Sequence, residues 1–213
     1  MKIKYFILTI IIFICIITEN KQAIARPIPY RILRYENVVG QADWFTCGAA
    51  SIATLLKYYY GIDTTESEIL NLAIKAMEGT GKDPRKNGLT LLSMQQALTG
   101  KNIRSKGLKI SPQDLKNYFQ KGGLPLILHV TKPQLHYIVA IGMINDWLII
   151  ADPSWGRRIL PLNTLIQDKG FEGIVLITIP QNSQINQIKI NQFNALKSAE
   201  NRLENLTNVR QKL

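Results

Sequence analysis

One ten-residue stretch concentrates the reactive chemistry of this chain: Gln41-Ala42-Asp43-Trp44-Phe45-Thr46-Cys47-Gly48-Ala49-Ala50. Residues 47–60 read as a helix with Ala49, Ala50, Ala53 and Leu56 on its apolar side and Gly61 as its stop. Cys47 therefore opens a helix, where unpaired backbone N–H groups and the helix dipole favour an anion, and so a thiolate. Gly48, Ala49 and Ala50 have almost no side chain and are expected to leave the space around the sulfur open. Gln41, six residues upstream, can set an amide N–H₂ beside the sulfur; with the Cys47 backbone N–H it would make an oxyanion hole. The competing reading is a buried structural cysteine, because free Cys usually behaves as a small hydrophobe.

A nucleophilic thiol needs a base, and the base needs an orienter. His136 stands at the start of an apolar run and Asp152 at the end of the next. A hairpin turning near Ile144-Asn145 brings both to the same end of two antiparallel strands. Their even separation places them on one face if the pairing is regular. Asp152 can then hold the imidazole so that its other nitrogen faces Cys47. Taken singly, a strand-end His and an Asp-Pro turn are ordinary features; taken together with Cys47 and Gln41, each has a matching role. His129, within Leu126-Ile127-Leu128-His129-Val130, is expected to point from a strand face without a direct catalytic role. Trp44 and Trp155, each close to a site residue in sequence, are the candidate walls of a substrate groove.

The elements that must position these groups fall into two textures. Residues 26–40 read as extended. Helices follow over 47–60, 66–77 (capped by Thr64, Thr65 or Ser67), 89–98 and 111–120, with a polar loop at 78–88. Residues 124–130, 137–143, 147–151 and 173–179 are short runs of Ile, Val and Leu bounded by turn residues, and read as strands. Helices first and an antiparallel sheet second make an α+β domain. Residues 181–213 are rich in Asn, Gln and Lys, with Ile185, Ile188, Phe193, Leu196, Leu203 and Leu206 as a loose helical stripe. They are expected to form a polar C-terminal helix outside the core domain, with a docking partner as one use for it.

Composition sets the outer bounds. The chain has 213 residues, 46% hydrophobic and 19% charged, which excludes a disordered or collagen-like protein. Two His exclude a histidine-rich metal site, two Cys exclude a disulfide scaffold, and no cofactor is expected. Lys2 and Lys4, an uncharged run over 5–18 and Ala23-Ile24-Ala25 have the three-part pattern of a secretory signal over residues 1–25, with an uncleaved membrane anchor as the alternative. Removing it takes Lys+Arg from 26 to 23 and Asp+Glu from 15 to 14, so the mature charge is +9. That charge is spread out and not interleaved with aromatics, which argues against nucleic-acid binding and leaves weak attraction to anionic membrane or cell-wall surfaces. An exported, periplasmic or secreted protein with one remaining thiol, Cys47, either buries that thiol or uses it.

These residues resemble the bacteriocin-processing cysteine peptidases, the papain-like enzymes that remove double-glycine leader peptides. The resemblance rests on residues 41–61, on Gly88-Leu89-Thr90 through Leu98, on His136-Tyr137-Ile138-Val139 and on Asp152-Pro153-Ser154-Trp155-Gly156, within residues 34–179. It implies Cys47 as nucleophile, His136 as general base and acid, Asp152 as orienter and Gln41 as oxyanion donor. It also implies a papain-like α+β fold in which a helical half carries the Cys and a sheet half carries the His and Asp. Family members often have Asp directly before the Cys and Pro two after it, where this chain has Thr46 and Ala49. Many are domains of transporters with an ATP-binding engine, and no Gly-rich phosphate loop is present here. An exported cysteine peptidase acting on a peptide or protein is the leading expectation. The alternatives are another papain-like acyl-transfer enzyme, such as a transglutaminase or cell-wall amidase, and a non-enzymatic exported module.

Overall fold

The computed structural model describes residues 29–210, nearly all of them in one compact unit that begins at Arg31. The signal-like segment, residues 1–25, lies outside the described residues. Eight helices, one π-helical segment and six strands follow in the order α1 Tyr30–Arg34, α2 Cys47–Leu55, π Leu56–Tyr60, α3 Glu66–Lys75, α4 Pro84–Asn87, α5 Leu91–Gly100, β1 Arg104–Lys109, α6 Pro112–Gln120, β2 Leu126–Val130, β3 His136–Ile144, β4 Trp147–Asp152, β5 Gly156–Pro161, α7 Leu162–Gln167, β6 Phe171–Ile179 and α8 Asn182–Arg210.

The caps explain where helices begin. The Thr65 hydroxyl accepts the Glu68 N–H, Thr90 accepts that of Ser93, and Ser111 and Asp114 exchange bonds as a capping box ahead of α6. The six strands form one antiparallel sheet in the order β1-β6-β2-β3-β4-β5. One hydrophobic cluster joins α2, α3, α5 and α8 to Ile127, Val139, Ile141, Ile149 and Leu176; the other joins α6 and α7 to Leu128, Ile138, Ala140, Leu148 and Ile150. Alternate strand residues thus serve opposite clusters. Burial on both faces is why the central strands read as unbroken apolar runs. The α+β expectation, a helical half against an antiparallel sheet, is what the structure has.

Several local expectations are corrected. Residues 30–34 are helical rather than extended. The helix from Cys47 is α only to Leu55, then widens to π before Gly61 closes it at φ 69°. The 78–88 loop contains the one-turn helix α4, capped by Asp83. Strands β1 (RSKGLK) and β5 (GRRILP) were not legible because they are the two sheet edges, where basic residues replace the apolar pattern. The C-terminal helix does not stand outside the core: Ile188, Ala195 and Ala199 are buried in the first cluster, and Asn191 Nδ2 donates to the Tyr59 carbonyl in the π segment. Its small and apolar residues occur on one stripe, so its polar composition hid a packed face.

Candidate active site

Cys47 is the first residue of α2 and is buried. Its backbone N–H, in the first helical turn, has no intrahelical acceptor. The helix docks tightly on β3. Ser51 Oγ donates to the Tyr137 carbonyl at 3.1 Å, and a Cβ on Gly48 would stand 2.9 Å from Met94 Sδ and 3.3 Å from the Tyr137 ring. The small residues after Cys47 therefore serve close packing, not open space around the sulfur; Ala49 and Ala50 are fully buried.

His136 opens β3 and Asp152 closes β4. His136 Nε2 lies 2.9 Å from Asp152 Oδ1, which leaves Nδ1 free on the other side of the ring, and the Cys47 thiol is near enough to favour the charged imidazole. Asp152 Oδ1 further accepts the backbone N–H groups of Ser154 at 2.9 Å and Trp155 at 3.2 Å. Burial alone would raise the Asp152 carboxyl, but these bonds and the imidazolium outweigh it and hold it below its ordinary value. Burial alone would likewise lower His136. The Asp152 and Cys47 bonds and charges reverse that and raise it to about 9.

The pairing that brings His136 and Asp152 together is not regular, and its irregularity is decisive. The two-residue turn Asn145-Asp146, with Asn145 at φ 53°, sets Ile144 opposite Trp147, Met143 opposite Leu148 and Gly142 opposite Ile149. Continued without interruption, that register would pair Val139 with Asp152 and leave His136 on the other face. A bulge intervenes: Ala140 pairs with Ile150 and Val139 with Ala151, so Ile141 is an extra residue on β3. A one-residue slip exchanges the two faces of a strand. Here it moves His136 onto the face of Asp152. The expectation of one face through regular pairing is corrected accordingly.

Gln41 completes the group. Its backbone N–H donates to the Pro153 carbonyl at 3.0 Å, its Oε1 accepts from Ser154 Oγ at 2.8 Å, and one Nε2–H donates to the Asp43 carbonyl at 2.9 Å. The second Nε2–H remains for a ligand oxygen. Asp152-Pro153-Ser154-Trp155-Gly156 is thus the hub, holding His136 through its first residue and Gln41 through the next two. From outside, Tyr35 Oη donates to the Ser154 carbonyl and Arg34 Nε to that of Trp155. Ser154, Tyr35 and Arg34 escaped sequence reasoning; the Asp-Pro-Ser-Trp-Gly segment was the available signal for Ser154.

Cys47 lines a cleft of about 390 Å³ with Trp44, Phe45, Lys86, Leu89, Leu135 and Tyr137 among its walls. His129, placed on a strand face by sequence, is also a wall of it, its ring 4.9 Å from that of Tyr137. Trp44 is 55% exposed at this cleft. Trp155 is not part of it, which corrects the pairing of the two tryptophans. Asp152 and the turn after it serve the other face of the sheet. There Trp155 lines a cavity of about 60 Å³ behind His136 and lies under the Arg34 guanidinium, 5.0 Å from its ring centroid. Among the described residues no cluster of His, Cys, Asp and Glu is arranged for a metal, and no helix is long and apolar enough to cross a membrane.

A buried thiol at a helix start, beside an imidazole that is bonded to a carboxylate, can perform acyl transfer. The comparisons agree with that chemistry. The family model for the peptidase C39 family matches residues 35–183. The chain belongs to the peptidase C39 family. A "probable functional amyloid protease FapD" of Pseudomonas fluorescens is 28% identical over 148 residues, 68% of this chain and 62% of that relative. This chain therefore spans about three-fifths of that relative's length. The peptidase domain of Streptococcus ComA, a bi-functional ABC transporter involved in a quorum sensing pathway, superposes with a TM-score of 0.57 at 25% identity, over 68% of this chain and 98% of the domain. A double glycine motif protease from an AMS/PCAT transporter, in complex with its leader peptide, superposes with a TM-score of 0.52 at 25% identity, over 68% of this chain and 91% of that one. The resemblance drawn from Gln41, Cys47, His136, Asp152 and their flanks thus holds for the C39 family, as does the fold it implied.

Proposed function

We propose that this chain is an exported cysteine peptidase using Cys47, His136 and Asp152. The observation that carries the reading is the 2.9 Å bond between His136 and Asp152, with the Cys47 thiol beside the imidazole and lining an open cleft. The Cys47 sulfur passes its proton to the His136 imidazole and attacks the substrate carbonyl carbon. The oxyanion accepts from the Cys47 backbone N–H and the second Nε2–H of Gln41. As the C–N bond breaks, His136 delivers its Nδ1 proton to the departing amine, leaving an acyl group on sulfur. Water then attacks the thioester carbonyl, His136 takes the water's proton, and the thiolate leaves.

The sequence of residues 1–25 supports export, and the mature charge is compatible with anionic envelope surfaces. One relative is described as a probable functional amyloid protease and another as a double glycine motif protease bound to a leader peptide. Carried to this chain, these favour an exported polypeptide of its own host, cut beside small residues. The test compares exported polypeptides of a wild-type strain with those of a Cys47→Ala strain. One or more species should persist uncut in the variant and be processed by added wild-type protein. Unchanged processing in the variant would exclude the assignment. Amine incorporation or release of cell-wall fragments without peptide cleavage would move it to another acyl-transfer class.

A further inference from the structure

We infer that helix α8, through Gln192, locks the β3 bulge and so positions His136 against Asp152. The inference rests on the proposed triad, and α8 lies almost wholly beyond the residues 35–183 that match the family.

Ile141, the extra residue of β3, has no register partner in β4, and β2 begins too late to supply one: its first pair is Leu126 with Ala140. A residue left out of both ladders offers a backbone carbonyl that must be satisfied in some other way. Gln192 satisfies it. Its Nε2 donates to the Ile141 carbonyl at 2.7 Å and to the Gly123 carbonyl, just before β2, at 2.8 Å. Gln192 is a buried polar residue with both amide hydrogens used. One helical turn on, Leu196 covers the next residue of the strand: a Cβ on Gly142 would stand 3.0 Å from Leu196 Cδ2. Gln192 and Leu196 therefore grip the bulge from one face of α8, as residues four apart on a helix do.

The alternative state is defined by the turn. Register from Asn145-Asp146 without the bulge would exchange the faces of residues 136–140, setting Ile138 and Ala140 against the wrong cluster and His136 away from Asp152. Gln192 lies far along the chain from both triad strands and bonds to the Gly123 and Ile141 carbonyls, not to His136 or Asp152; it acts through the backbone that carries His136. It is a positioning residue.

The test measures His136 titration by NMR of imidazole-labelled full-length protein in Gln192→Met and, as control, Asn191→Ala. Asn191 tethers the same helix to the Tyr59 carbonyl and not to the bulge. The groups around His136 are Asp152, Cys47 and the more distant His129, with Lys132 and Lys169 lining the cavity behind it. In Gln192→Met the His136 midpoint is expected to fall by about one pH unit, with kcat/KM on a processed substrate down by about tenfold. In Asn191→Ala both stay at their wild-type values, and His129 titrates alike in all three proteins. An unmoved His136 midpoint in folded Gln192→Met, or an equal shift in Asn191→Ala, overturns the inference. If Gln192→Met does not fold, Leu196→Ala loosens the other grip, and its His136 midpoint must then fall; an unmoved value overturns the inference as well. Neither titration depends on peptidase activity, so loss of the proposed function leaves this result readable.

Discussion

Asp152→Asn keeps the shape of the carboxylate and removes its charge. The Asn oxygen can still accept the Ser154 and Trp155 N–H groups that hold the turn. What disappears is the ion pair with His136, whose side chains are only 12% and 4% exposed, so that solvent screens it little. The imidazole stands at about 9 against an ordinary 6.5. That difference corresponds to about 3 kcal/mol in favour of the imidazolium. Burial opposes it, so the partners supply more than the net, and Asp152 contributes the largest of the favourable interactions. The variant is expected to titrate about one to two pH units lower. The chain has two histidines, and burial pushes the other, His129, below its ordinary value, so the two imidazole signals separate and the second is an internal control. The raised pKa also links to stability. The stabilisation from His136 protonation is complete below 6.5 and is lost as pH rises through about 9. Denaturation midpoints of the wild type should fall across that window, and those of Asp152→Asn much less. An identical His136 midpoint in the two proteins would refute the view that the carboxylate holds the imidazolium.

Other outcomes follow from the same geometry. Activity of the wild type should decline as pH rises through about 9, because the proton that His136 gives the leaving amine is lost there; a pH profile of kcat/KM on a processed substrate reads it. Gln41→Ala should lower kcat by about 10²-fold with little change in KM, since it removes a donor aimed at the oxyanion; equal loss in KM would place Gln41 in ground-state binding instead. Gly156→Ala should destabilise by roughly 3 kcal/mol or more and disturb the turn after Asp152, because φ is +74° and a Cβ would lie 2.2 Å from the Arg34 carbonyl oxygen. Urea denaturation at neutral pH measures it, and near-wild-type stability would contradict it. Gly48→Ala should cost only about 1–2 kcal/mol, since the flexible Met94 side chain can give way by a few tenths of an ångström.

Local chemistry was legible in the chain. A Cys with small neighbours at a helix start, a Gln six before it, a His opening one apolar run and an Asp closing the next are statements about residue type and spacing; the structure pairs His136 with Asp152, sets Cys47 near that imidazole and ties Gln41 to the Pro153-Ser154 turn. Hydrophobic period, and for α3 a cap among Thr64, Thr65 and Ser67, marked most helices and the central strands, because those signals act within a turn or a strand. Edge strands β1 and β5 lacked the signal because one side of each has no partner to pack against. The burial of α8 was invisible because its small apolar stripe is diluted by exposed Asn, Gln and Lys. Whether His136 faces Asp152 was beyond any reading of spacing. It depends on which residue of β3 is left out of the ladder, and that is settled by a carbonyl–amide contact between residues 51 positions apart in the chain. Sequence determines which groups are available and which local elements carry them. Tertiary packing alone selects the register, because strand pairing has period two and a single extra residue, held in place from a distant helix, reverses every side chain that follows it.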